Sequence, residues 1–192
     1  MIWETVHKKL IMTPILWHSA ARTSFEYFQI DHRTYGHALR GIVLARLDGE
    51  ASEIVYDIEC DIEWRTRRVS IVQTWNSVVT TVTLLVSERQ EWSSGNTLLP
   101  ALHGLIDVDL AITPSTNLLP LKRLPIAIGD SCETTAAWVQ FPSLDVLPLV
   151  QTYTRTGERE YTYSAPALDF TARLTFDAHG VCESYGDLWT RV

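Results

Sequence analysis

The chain contains few cysteines, and their arrangement argues against the folds that depend on them. Cys60, Cys132 and Cys182 are the three cysteines among 192 residues, and no two of them form a CxxC pair. An odd number of widely spaced cysteines does not build a disulfide scaffold or a zinc ribbon. We therefore interpret them as free thiols in a reducing compartment and expect a cytoplasmic protein.

The sequence also contains fewer basic than acidic residues. Sixteen Lys and Arg residues stand against twenty-three Asp and Glu residues, which gives a net charge of −7. Non-specific nucleic-acid binding needs a basic surface, so we expect no nucleic-acid partner. The sequence has no apolar run of about 18 residues, so we also expect no segment that spans a membrane.

The short motifs of common active sites are missing as well. The sequence contains no GxSxG, HExxH, Walker loop or GxGxxG pattern, and these patterns supply activated nucleophiles, metal ligands or phosphate loops. We accordingly predict no cofactor, no bound metal and no assigned catalytic residue. An enzyme remains an alternative to a binding protein.

Residues 1–16 are predicted to form an N-terminal extension with poor order. Lys8 and Lys9 precede an apolar stretch and are faintly similar to a secretory signal, but Thr13 and Pro14 interrupt that stretch. Met12 is an alternative natural start, which would leave residues 1–11 outside the mature chain. We expect residues 17–192 to form a single domain.

Alternating apolar and polar residues dominate the rest of the chain and predict β-strands. The predicted strands cover residues 25–30, 37–47, 53–62, 65–75, 78–87, 125–128, 133–141, 146–155, 161–164, 169–176 and 181–185. In residues 53–62, Ile54, Tyr56 and Ile58 fall on one face and acidic side chains on the other, which is typical of a half-buried antiparallel strand.

The number of strands determines the predicted fold class. We expect a mostly β protein, a single-domain antiparallel β-barrel or half-barrel of roughly 11–12 or more strands with few short helices. A barrel of more than about eight strands is too wide for its own side chains to fill. The sequence therefore predicts that the barrel encloses a cavity.

Residues 102–124 are the one stretch that strand alternation does not explain. Among leucines and isoleucines it carries Asp107, Asp109, Asn117, Lys122 and Arg123. A buried polar group without a partner costs roughly 1–3 kcal/mol. This stretch should therefore either join two parts of the fold or line a site.

The acidic pair in this stretch has two interpretations. With His103, Asp107 and Asp109 could perform acid–base chemistry or bind a metal. The interpretation that we prefer is structural pairing, with Arg67 or Arg123 as partner.

The polar run that follows the acids is also open to two interpretations. Thr113, Thr116 and Asn117 either satisfy backbone groups in a loop that seals one barrel end or donate hydrogen bonds to sugar hydroxyls. Core packing explains most of the aromatic residues, and the candidates for a cavity wall are Trp64, Trp92, Trp138 and Trp189.

The order of these motifs resembles one bacterial family, the "putative glycolipid-binding" proteins. The most specific match is the run Thr113-Pro114-Ser115-Thr116-Asn117 with 119–124, and other matches are Trp17, Glu26, Gly41, Tyr56, Asp61, Trp64, Thr66, Arg67, Trp92, 107–110, Pro142, Leu144, Gln151, Tyr153, Phe170, Asp177, Gly180, Tyr185, Trp189 and Arg191. Lys122 stands where the family pattern leads us to expect a second arginine, and Gly186 where we expect proline. The resemblance covers about residues 15–192, and it implies a barrel-like fold similar to lipoprotein carriers and a role with glycolipids.

We therefore predict a lipid- or glycolipid-binding protein that holds an amphipathic ligand in an apolar cavity. The predicted ligand-binding residues are Trp64, Arg67, Trp92, Asp107, Asp109, Thr113, Thr116, Asn117, Arg123, Trp138 and Trp189. The alternatives are a hydrolase or other enzyme acting on a lipid or sugar ester, and an interaction protein without a cavity. A homodimer is left open.

Overall fold

The computed structural model describes residues 10–11, 13–19 and 23–192, and their strands form one 16-stranded sheet. The strands of the N-terminal half are β1 (Leu10–Ile11), β2 (Ile15–Ser19), β3 (Ser24–Arg33), β4 (Gly36–Leu47), β5 (Glu50–Cys60), β6 (Thr66–Trp75), β7 (Val78–Val86), β8 (Trp92–Ser94) and β9 (Thr97–Leu98). Those of the C-terminal half are β10 (Asp107–Leu110), β11 (Ser131–Val139), β12 (Val146–Arg155), β13 (Glu160–Ala165), β14 (Phe170–Phe176), β15 (Cys182–Tyr185) and β16 (Trp189–Arg191).

The order of the strands in the sheet is close to their order in the sequence. Its order runs from β10 through β16, then from β2 to β9, and β1 pairs with β3 outside this path. Neighbouring strands are antiparallel except β10 and β11, which are parallel. The sheet is not closed into a barrel, since β10 and β9 lie at its two ends.

Helical structure is sparse in the described part of the chain. It consists of one short α-helix, α1 (Leu118–Arg123), and 3-10 helices at Pro100–Leu102, Ser115–Asn117 and Pro166–Leu168. None of the helices in the described ranges has the length and apolar character needed to cross a bilayer.

Side-chain alternation explains why the strands face as they do. In β5 the residues Ile54, Tyr56 and Ile58 are buried, whereas the adjacent Glu53 and Val55 are exposed. Successive side chains of a strand point to opposite faces, so one face of the sheet builds the core. The largest fully buried side chains on this face include Trp17, Phe28, Tyr56, Trp92, Tyr153 and Trp189.

The concave face of the sheet wraps around residues 107–126, which we call the central segment. From the N-terminal half of the sheet, Tyr56 lies 2.7 Å from the Ser115 hydroxyl. From the C-terminal half, the Tyr153 hydroxyl donates to the side-chain oxygen of Asn117 at 2.8 Å. Strands that are far apart in the sheet therefore contact the same segment, which requires the sheet to curve.

Two further hydrogen bonds link the two halves of the sheet. The Thr66 amide donates to the Ile106 carbonyl at 3.1 Å, and the Val108 amide donates to the Thr66 hydroxyl at 3.2 Å. The start of β6 therefore lies beside β10, the first strand of the other half of the sheet. The result is a half-barrel whose concave side is partly filled by the central segment, with smaller pockets along it.

The predicted mostly β fold with a half-barrel form is confirmed. The strand predicted at 125–128 is wrong: Ile126 donates its amide to the nearby Leu124 carbonyl and no strand pairs with this segment. Conversely, residues 88–98, where the sequence predicts no strand, contain β8 and β9. Of the predicted N-terminal extension, residues 1–9 and 12 lie outside the described residues, whereas Ile15 already belongs to β2.

Candidate functional site

A cluster of buried polar side chains fixes the central segment to the N-terminal half of the sheet. The Thr113 hydroxyl donates to Glu26 at 2.8 Å and lies 2.9 Å from the Ser115 hydroxyl. The Tyr56 hydroxyl donates to the same Glu26 carboxyl oxygen and lies close to Ser115. Burial raises the pKa of Glu26 to about 8, against the lowering effect of the two hydroxyl donors. Glu26 is therefore predominantly neutral at pH 7.

Asp109 holds the central segment to the C-terminal half of the sheet. Its carboxylate accepts a hydrogen bond from the Thr116 hydroxyl at 3.1 Å and another from the Gln151 amide. Burial raises the pKa of Asp109, and these two donors oppose the rise. Gln151 lies on β12, so a carboxyl group of the segment is bonded directly to the sheet.

Asp107 forms a buried ion pair with Arg123. Burial raises the pKa of Asp107 to about 6, and the neighbouring guanidinium opposes the rise. The pair joins β10 to the last residue of α1, which closes the central segment on itself. Structural pairing of Asp107 with Arg123, the interpretation preferred from the sequence, is what the structure shows.

A pocket of about 180 Å³ opens beside Asp109. We call it the aromatic pocket, and its lining includes Asp109, Thr113, Trp138, Tyr163, Phe170, Tyr185 and Trp189, with Leu149, Leu168 and Leu188 among the apolar remainder. The rings of Tyr163, Phe170 and Tyr185 pack mutually at centroid distances of 5.8–6.0 Å. The two contacts of Tyr185, with Tyr163 and with Phe170, are edge-to-face, which is an arrangement that aromatic pairs prefer.

The chemistry of the aromatic pocket is mixed. Aromatic rings offer flat apolar surfaces, while Asp109 and Thr113 offer hydrogen-bonding groups at the same pocket. The Tyr163 hydroxyl extends the polar side because it is hydrogen bonded to Tyr185 and Gln151. The arrangement suits a ligand that has flat apolar faces and a hydroxyl-bearing edge.

A second cleft, of about 460 Å³, is lined by Ile62, Glu63, Trp64, Arg65, Ile106, Lys122 and Arg123. The Trp64 ring stacks on the His37 ring with 3.8 Å between their centroids, and the Lys122 ammonium lies 5.6 Å from the centroid of the Trp64 ring. Burial lowers the pKa of Lys122. Its ammonium also donates to the His179 carbonyl at 2.5 Å.

The structure brings four of the predicted site residues together. Asp109, Thr113, Trp138 and Trp189 all line the aromatic pocket, and Trp64 and Arg123 line the second cleft instead. The sequence predicted that all of these residues bind one ligand in a single cavity, whereas the fold divides them between two pockets.

The remaining predicted residues make internal contacts. Arg67 forms an ion pair with Asp61 at 2.6 Å. Trp92 is buried, and its ring N–H donates to the Leu105 carbonyl at 2.9 Å. The Asn117 amide donates to the Pro114 carbonyl at 3.2 Å. His103, the third member of the acid–base hypothesis, is exposed at the end of the 3-10 helix Pro100–Leu102.

Sequence reasoning missed part of the aromatic pocket as a candidate site. Tyr163, Phe170 and Tyr185 line it, although none was predicted to bind a ligand. Each lies on its own strand, β13, β14 or β15, and these strands are consecutive in the sheet. The strand register, in which Tyr163 lies opposite Ala172 and Leu174 opposite Tyr185, brings these residues together. The sequence signal that could have identified them is the recurrence of aromatic residues in neighbouring short strands.

Comparison with known proteins gives two findings. The model of a family described as "Putative glycolipid-binding" matches residues 14–191. The fold is similar to the crystal structure of a DUF1089 family protein from Pseudomonas aeruginosa, with a TM-score of 0.78 and 26% sequence identity over 92% of this chain and 95% of that one. No curated protein matches the chain.

Proposed function

The chain belongs to the family described as "Putative glycolipid-binding", and on this premise we propose that it binds a glycolipid with one sugar ring in the aromatic pocket. The observation that carries the proposal is that the aromatic side chains of Trp138, Tyr163 and Phe170 line one pocket together with Asp109. A sugar ring has apolar C–H faces and a polar hydroxyl rim, so it matches both kinds of lining.

The size of the pocket supports a single ring. Its volume is about 180 Å³, and an apolar cavity of about 150 Å³ in another protein is large enough to bind benzene. The sugar therefore fits as the buried part of the ligand, and the acyl chains remain outside this pocket.

Cytoplasmic location and a homodimer remain predictions from the sequence.

The experiment compares two amphiphiles with the same alkyl chain. Octyl glucoside and an octyl oligoethylene glycol ether, both kept below their critical micelle concentrations, are titrated against the protein by saturation-transfer NMR. We expect transfer to the sugar protons of the glucoside and weaker binding of the ether. Equal binding of the two amphiphiles would show that the sugar is not recognised.

Two tryptophan variants locate the binding. Trp138→Ala removes a half-buried ring from the aromatic pocket and should abolish transfer to the sugar. Trp75→Ala removes a half-buried ring on β6 and should not affect it. Unchanged sugar transfer in the Trp138 variant would place the ligand elsewhere.

A further inference from the structure

Two histidines face each other where β3 and β4 meet, at some distance in the chain from every residue of the aromatic pocket. His32 and His37 are paired in register across the two strands, and their Nδ1 atoms lie 3.0 Å apart. A hydrogen bond joins these two atoms, and His32 is exposed to solvent whereas His37 is half-buried.

We propose that His32 and His37 form a binding site for a late first-row divalent cation such as Cu²⁺ or Zn²⁺. Histidine is the commonest metal ligand in proteins, and imidazole suits copper, zinc and nickel. With metal–nitrogen bonds of about 2.0–2.1 Å, two imidazoles on one ion place their nitrogens roughly 3.0–3.4 Å apart. The observed separation is therefore already that of two ligands on one ion.

The surroundings hold one of the rings in place. His37 is hydrogen bonded to the Ile62 carbonyl, and Trp64 stacks on its ring at an interplanar angle of 13°. The rings of His32 and Trp64 are also packed edge-to-face, with 5.9 Å between their centroids. A carbonyl bonded to a ligating imidazole is the usual way in which proteins orient such a ring.

The loop that carries Trp64 is itself braced. The Asp61 carboxylate accepts hydrogen bonds from the backbone amides of Glu63 and Arg65, each at 2.9 Å. Trp64 has a positive φ of 64°, which is uncommon for a large side chain and persists only where the surroundings enforce it. The stacking surface for His37 is therefore fixed by the loop.

The ligand set is small. Among the described residues no group of three or more His, Cys, Asp or Glu side chains is arranged to hold a metal, so two imidazoles would be the protein ligands and water would fill the remaining positions. The hydrogen bond between the two neutral rings needs a proton on one Nδ1 atom, so metal binding requires that ring to change to the tautomer protonated at Nε2, with no net loss of a proton. Affinity for such a site should follow the order Cu²⁺ above Zn²⁺ and Ni²⁺.

The test is titration of the tag-free full chain with CuCl₂, followed by tryptophan fluorescence and isothermal titration calorimetry. We expect one Cu²⁺ per chain, with partial quenching because Trp64 contacts both imidazoles. His32→Ala and His37→Ala should each abolish this binding event. His103→Ala, which removes another exposed histidine, should leave it unchanged.

A further variant and a second metal separate the site from non-specific binding. Trp64→Phe should still bind Cu²⁺ in calorimetry but should show less quenching. ZnCl₂ should raise the melting temperature of the wild type and not of the two histidine variants, because a ligand that binds only the folded state stabilises it. Wild-type protein without a binding event, or binding that persists in both histidine variants, would overturn the proposal.

Discussion

The ring of Tyr56 on β5 crosses the face of Gly41 on β4, and its hydroxyl donates to Glu26 on β3. Gly41 and Tyr56 are directly opposite in register, and a Cβ atom on Gly41 would lie 2.3 Å from the tyrosine ring. Real Cβ atoms do not approach other atoms so closely. The bond between Tyr56 and Glu26 therefore depends on the absence of a side chain on the strand between them.

Gly41→Ala should destabilise the protein by about 1–3 kcal/mol or more, because the added methyl group overpacks a filled core. The displaced Tyr56 ring would also lose its contacts with Glu26 and Ser115. The loss is measured as the free energy of unfolding in urea. A midpoint equal to that of the wild type would show that the ring has room to move.

The matched control is the same substitution in a Tyr56→Ala background. If the tyrosine ring is what the methyl group meets, Gly41→Ala should cost much less there, and the double-mutant cycle should give a coupling energy of about 0.5–3 kcal/mol. Equal costs in both backgrounds would assign the destabilisation to the backbone of β4 instead.

The pKa of Glu26 predicts how stability depends on pH. Its pKa is raised from 4.5 to about 8 in the folded protein, so between these values the folded state binds the proton more tightly than the unfolded state. Stability should therefore fall as pH rises from about 4.5 to 8, with a slope that approaches about 1.4 kcal/mol per pH unit from this group. Urea unfolding at several pH values gives the slope.

Glu26→Gln keeps a neutral side chain of similar shape and should flatten this dependence. At pH 5, where Glu26 is neutral in the folded state, the variant and the wild type should be similar in stability. At pH 8 the variant should be the more stable. Asp107, with its pKa raised to about 6, contributes in the same direction at lower pH, so a residual slope below pH 6 is expected in both proteins.

The sheet was predictable because the pattern that encodes it is local. The alternation of Ile54, Tyr56 and Ile58 with mostly acidic neighbours specifies a half-buried strand without reference to the rest of the chain. The strand prediction at 125–128 was wrong because it also used a local pattern: four apolar residues fit a strand, but no neighbouring strand pairs with them. Strand pairing is a property of the whole sheet.

The candidate site was predictable only in part, because it combines residues that are far apart in the sequence. Asp109 and Thr113 were identified as polar groups in an apolar run that need partners. The partner Gln151 lies 42 positions away and Glu26 lies 87 positions away. No local pattern shows that Trp138 joins Asp109 at a pocket while Trp92 fills the core.

The ion pair between Asp107 and Arg123 should be important for stability because both groups are removed from water. Their side chains are 2% and 14% exposed. Arg123→Met leaves the Asp107 carboxylate buried without its cation, which typically costs about 3–5 kcal/mol. The free energy of unfolding at pH 8, above the pKa of Asp107, measures this cost.

Arg65→Met is the control, because Arg65 pairs with Glu63 on the surface, where the side chains are 44% and 61% exposed. Exposed pairs contribute about 0–1 kcal/mol, so little change is expected. A loss in Arg123→Met no larger than that in Arg65→Met would mean that water reaches Asp107. The destabilisation by Arg123→Met should also shrink at pH 5, where Asp107 can be neutral.

The bond from Tyr153 to Asn117 predicts how firmly the central segment is attached to the C-terminal half of the sheet. Tyr153→Phe removes the hydroxyl that donates to Asn117 and leaves a buried amide oxygen without that donor. Such a loss costs about 1–3 kcal/mol. Hydrogen exchange followed by mass spectrometry should show faster exchange in α1, because Asn117 immediately precedes this helix.

Tyr35→Phe provides the comparison for this variant, since Tyr35 is 90% exposed and its hydroxyl can bond to water. That substitution should change neither the unfolding free energy nor the exchange in α1. Faster exchange restricted to α1 in Tyr153→Phe would show that the sheet holds the segment through this bond. Unchanged exchange there would mean that the packing of Leu118 and Leu119, both buried, is sufficient to hold the segment.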